Sequence, residues 1–143
     1  MKNHSLLYAA LALTPLALLP PGVALTSRGT STIVGPYGFA ADGFGIQVGK
    51  KLDSAVPVAI AGTYNFFADG SVKRIFTIST SGEIGDATDS GSYTVNADCT
   101  GGASINTPFE VDTIKLTIIQ GGKAVYFINA TTGIVLAGRM ERQ

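Results

Sequence analysis

The sequence predicts an all-β fold: an antiparallel up-and-down barrel of about eight strands, preceded by a signal peptide. Three observations predict it. A short phrase ending in Ala-Asp recurs three times along the chain. Apolar residues alternate with polar ones at a period of two, the mark of a half-buried strand. Glycine is frequent, 18 of 143 residues, and punctuates the apolar runs with short turns.

The N-terminal segment 1–24 reads as a secretory signal. Lys2 supplies the positive start, and Leu6 to Leu19 is apolar apart from Thr14 and Pro15. Pro20, Pro21 and Gly22 then break any helix, and Gly22 and Ala24 give the small-x-small pattern of a cleavage site after Ala24. A membrane anchor would need roughly 20 apolar residues without a central proline. The expected product is a secreted or periplasmic protein with no membrane span after signal removal. Residues 25–34 are small and polar and are expected to form a flexible leader. Residues 35–143 are expected to form a single barrel domain.

The first copy of the phrase is Gly35-Pro-Tyr37-Gly-Phe39-Ala-Ala-Asp42-Gly43. The second is Gly62-Thr-Tyr64-Asn-Phe66-Phe-Ala-Asp69-Gly70, and the third is Gly91-Ser-Tyr93-Thr-Val95-Asn-Ala-Asp98-Cys99. Tyr and the apolar residue two positions on share one strand face. Ala-Asp-Gly is expected to turn the chain, because Asp bonds nearby backbone and Gly accepts positive φ. Val56, Val58, Ile60, Tyr64 and Phe66 predict one strand, and Val72, Phe76 and Ile78 the next. Ile114, Leu116 and Ile118 mark another, ended by Gly121-Gly122. Val125 and Phe127 follow, then Ile134, Leu136 and Met140. No later segment suggests a helix. Open sheet edges invite aggregation, so a meander of this length favours closure over a sandwich. An outer-membrane barrel fits less well: Trp is absent and aromatics are 8%.

Composition narrows function. Hydrophobic residues are 45% and charged residues 14%, which excludes a disordered tail and a charge-driven nucleic-acid binder. Without the signal, nine basic groups face ten acidic ones, a formal charge of −1. The only histidine, His4, leaves with the signal, so imidazole catalysis and His-ligated metals are excluded. Neither a phosphate-binding glycine loop nor a dinucleotide fingerprint is present. No catalytic residue, metal ligand or cofactor is assigned. Cys99 is a small buried hydrophobe, half of an intermolecular disulfide, or a reactive thiol.

The phrases around Tyr64 and Tyr93, the turn Asp98-Cys99-Thr100-Gly101 and the close Gly133-Ile-Val to Gly138-Arg-Met-Glu-Arg-Gln143 carry a resemblance. Together they resemble short exported bacterial β-barrel proteins of uncharacterised function, calycin-like (lipocalin-like) or allene-oxide-cyclase-like in architecture. The resemblance covers about residues 35–143. It implies a fold and a location, but no activity. In this chain Gly102 follows Gly101 where the family pattern continues with Thr.

Candidate sites are few. Asp42, Asp69 and Asp98 are turn residues or, alternatively, calcium ligands, although calcium takes about six to eight oxygens. Glu83, Asp86 and Asp89 form an acidic stretch expected in a glycine-rich loop. Tyr37, Tyr64 and Tyr93 either fill the barrel end and bond backbone carbonyls or turn their hydroxyls into a cavity. Arg74 shares a face with Val72, Phe76 and Ile78. It either reaches the rim or a carboxylate, or holds the carboxylate of a fatty-acid-like ligand. Arg139 and Arg142 read as surface charges, and Lys50-Lys51 as a loop pair. Asn129-Ala-Thr131 matches a glycosylation acceptor. The expected role is a binding module for a small apolar or amphipathic ligand, with Arg74, Tyr64, Phe66, Phe76 and Tyr93 as ligand-binding residues. The alternatives are a structural or surface-interaction protein with a filled barrel, and a cyclase- or isomerase-type barrel enzyme.

Overall fold

A computed structural model describes residues 30–45 and 55–143. The signal peptide, the first part of the leader and the Lys50-Lys51 pair lie outside the described residues. Eight strands follow one another: β1 (Gly35–Gly45), β2 (Val56–Phe66), β3 (Ser71–Thr80), β4 (Glu83–Val95), β5 (Thr100–Asn106), β6 (Val111–Ile119), β7 (Ala124–Asn129) and β8 (Ile134–Arg142). Each pairs antiparallel with the next, and β1 pairs with β8, so the sheet closes into an up-and-down barrel.

The alternation read from the sequence is the alternation of the barrel wall. Ile60, Tyr64 and Phe66 of β2, Ile114, Leu116 and Ile118 of β6, and Val125 and Phe127 of β7 are buried on the inner face. The residues that alternate with them face outward, because a strand's side chains alternate across the sheet. Gly62 and Gly91, the first residues of the second and third phrases, serve tight strand approach. A Cβ at Gly62 would lie 2.1 Å from the carbonyl oxygen of Ile75, and one at Gly91 1.9 Å from that of Ser104. Only glycine lets neighbouring strands come this near where a small barrel bends.

The two ends of the barrel differ. One end carries the short β2–β3, β4–β5 and β6–β7 connections and both ends of the described barrel. A 3-10 turn, Thr30–Ile33, packs there, and Ile33 is 0% exposed. The segment expected to be a loose leader therefore contributes a plug: an isoleucine at its end has an apolar socket to fill. Tyr37, Phe66 and Tyr93 pack edge to face beneath it, with centroids 5.6 Å and 4.9 Å apart. Tyr64 stacks beside Phe66, and Phe39 and Phe127 complete an aromatic fill of this half.

Arg142 ties the seal together. Its guanidinium donates to the carbonyls of Val34 (2.7 Å), Thr32 (3.0 Å) and Gly122 (3.3 Å) and to the Tyr37 hydroxyl (2.8 Å). It is thus a clamp between the last strand and the plug, not only a surface charge. Arg139 does stay at the surface, paired with Glu141 at 2.9 Å.

Two phrase-level expectations are corrected. Asp42-Gly43 does not turn: β1 runs straight through it, because these residues pair with both β2 and β8 to close the barrel. The acidic stretch Glu83 to Asp89 is not a loop but the first half of β4. Asp69 and Asp98 do sit in turns, each accepting from the backbone N–H and hydroxyl two residues on, Ser71 or Thr100. Those hydrogen bonds hold both carboxyls below their ordinary pKa. Cys99 takes the left-handed place that Gly70 has in the second phrase, φ 67° against 85°, and is half-buried against the core.

Candidate functional site

The opposite end of the barrel is built differently. It carries the β3–β4, β5–β6 and β7–β8 turns and the β1–β2 connection. Here the aromatic filling stops and a cavity of about 300 Å³ remains, walled by Val58, Ile60, Phe76, Ile78, Ala87, Ile134 and Leu136. Its rim includes Phe109, which is 92% exposed. The turn beneath Phe109 is held by Thr107, whose hydroxyl accepts from the N–H groups of Phe109 and Glu110 and donates to the Glu110 carbonyl.

The floor is polar. Arg74, Asp89, Asp112 and Asn129 all line the cavity, at 4%, 7%, 7% and 5% exposure. Register brings the first pair together: Tyr64 of β2 and Asp89 of β4 lie directly opposite Arg74 of β3 on its two sides. Asp112 arrives from β6, across the barrel. An Arg74 Nη donates to Asp89 Oδ2 at 2.5 Å and to Asp112 Oδ2 at 3.2 Å, and the other makes a long 3.4 Å contact with the Tyr64 hydroxyl. The guanidinium carbon sits 4.5 Å from the centre of the Phe76 ring, a cation–π geometry. Burial pulls the Arg74 pKa down, but Tyr64, Asp89 and Asp112 outweigh it and leave it above the ordinary value. Burial likewise pushes the Tyr64 phenol up, partly offset by the Arg74 charge.

Of the residues singled out from sequence, Arg74 and Phe76 line the cavity, and Tyr64 lies against its floor through Arg74. Phe66 and Tyr93 do not join them. Their positions at the far end of β2 and β4 put them in the sealed half, where Tyr93 donates to the Phe67 carbonyl at 2.8 Å. Tyr37 likewise donates to the Gly122 carbonyl. Sequence reasoning missed Asp112 and Asn129 as interior groups, and left Asp89 in a loop. Asp112 was detectable, since it shares parity with Ile114, Leu116 and Ile118. Asn129 is buried with its Oδ1 accepting from the Thr131 N–H, so the folded barrel shields this acceptor from a glycan-transferring enzyme.

The arrangement offers an open-mouthed, mostly apolar chamber with charged and polar side chains at its base. Among the described residues no group of three or more potential metal ligands forms, and both buried carboxylates are engaged with Arg74. No helix among the described residues is long and apolar enough to cross a membrane. No protein-family model matches the chain, and neither a curated protein nor a solved structure matches it.

Proposed function

We propose that this protein is an exported binding module that holds one small, mostly apolar molecule in the open half of its barrel. The carrying observation is the contrast between the two halves: one is packed solid with aromatic rings, the other keeps a 300 Å³ chamber over a buried polar floor. Pockets that bind small molecules have this composition, apolar walls with a few placed polar groups. Export rests on the signal-like segment 1–24, and a calycin-like relationship on the phrases quoted above.

Native mass spectrometry of the chain purified without detergent from its own host tests this reading. We expect one equivalent of a small apolar compound on the native chain, and none on an Ala87→Phe variant whose ring fills the chamber. A native chain that is always empty would overturn the proposal.

A further inference from the structure

The floor of the chamber carries more negative charge than the protein itself neutralises. Among the described residues that line the chamber, Arg74 is the one basic side chain, against Asp89 and Asp112 on the floor and Glu110 at the rim. One guanidinium against three carboxylates is a formal charge of −2, and −1 of it sits on the buried floor. Arg74 reaches both floor carboxylates through Oδ2, at 2.5 Å for Asp89 and 3.2 Å for Asp112. The Oδ1 atom of each accepts no hydrogen bond among the described residues. These two oxygens are not sealed into the wall: the Asp89 side chain keeps 4% of its surface and that of Asp112 9%. Both residues line the chamber. Arg74 Nε, by contrast, is buried and offers a ligand nothing. Asn129 completes the floor without adding charge, its Oδ1 held by the Thr131 N–H.

A head group suited to this floor brings a positive charge and protons to donate. An ammonium brings both and needs no donor in return. It loses hydration on entering an apolar chamber, and opposite charge with accepting oxygens offsets that loss. A hydroxyl can donate one proton but leaves the floor charge uncompensated. A ligand carboxylate has no proton to give at neutral pH and meets like charge in a poorly screened interior. We propose that the chamber takes small primary amines in their ammonium form, with N–H groups on Oδ1 of Asp89 and Asp112 and the apolar body against Ile60, Phe76 and Leu136. This assignment rests on the binding role proposed above. It inverts the charge of the fatty-acid ligand that Arg74 suggested in the sequence, because that guanidinium already carries two carboxylates.

Isothermal titration calorimetry of the signal-free chain at neutral pH, with octylamine, 1-octanol and octanoate, tests the head group. The three probes share one apolar body and differ only at its end. We expect octylamine to bind at least about tenfold more tightly than 1-octanol, and octanoate to bind most weakly. This comparison needs no variant. The Asp112→Asn chain, checked for folding by circular dichroism, should bring octylamine close to 1-octanol, because its floor is formally neutral. An octylamine preference that survives this substitution undiminished places the head group elsewhere and overturns the site. Equal or tighter binding of 1-octanol or octanoate to the native chain overturns the amine assignment and leaves the binding role standing. Failure of all three probes to bind overturns both.

Discussion

Arg74 carries its charge into an interior otherwise made of aromatic and branched apolar side chains. A buried ion is tolerated only when it is paired and hydrogen-bonded. Here the pairing comes from two strands, and the Phe76 ring supports one face of the guanidinium. Removing the arginine would leave two carboxylates buried without a cation. Arg74→Met should therefore lower unfolding free energy by about 3–5 kcal/mol. Asp89→Asn placed in the Arg74→Met background should cost much less than Asp89→Asn alone. Urea unfolding of the four proteins in this cycle measures the coupling. We expect at least about 1 kcal/mol, and simple additivity would show that the pair does not act as a unit.

At the scale of the strands, spacing between neighbours is set by residues with no side chain. The clash of a Cβ at Gly62 is with backbone, which cannot swing aside. Gly62→Ala should destabilise the barrel by about 3 kcal/mol, at the upper end of overpacking penalties. Gly85→Ala is the control: it lies in β4 with open space around its would-be Cβ, and should change stability by no more than about 0.5 kcal/mol. Equal losses at both positions, read as urea midpoints, would contradict the close approach. Strand β2 was legible in the sequence because its inner face is apolar almost throughout. The second half of β4 was legible through the third phrase, but the first half was not, because Glu83 to Asp86 is exposed and gives no apolar alternation to read. Asp89 was missed with it, although it sits two steps of parity from Tyr93. Asp42-Gly43 misled for the opposite reason: the same residues that turn the chain at Asp69-Gly70 are held extended in β1 by partners on both sides. Local turn chemistry gave way to closure of the sheet.

Over the whole molecule, closure and the two unlike ends follow from one pattern. Aromatic residues of the repeated phrases gather at the end where the plug and Arg142 seal the barrel. Smaller apolar residues and the charged cluster face the other. The pattern of phrases thus made the barrel legible, but not which half stays hollow. That depended on Asp112 reaching across from β6 and on strand lengths that only the folded register reveals. Diffraction from crystals of the signal-free chain under xenon pressure tests the hollow half most directly. Our account predicts xenon between Ile60, Phe76, Ile78 and Leu136, above an intact Arg74–Asp89–Asp112 cluster, and none among the aromatic rings of the sealed half. A chamber collapsed onto its own walls, with no xenon and with Arg74 turned out to solvent, would contradict it.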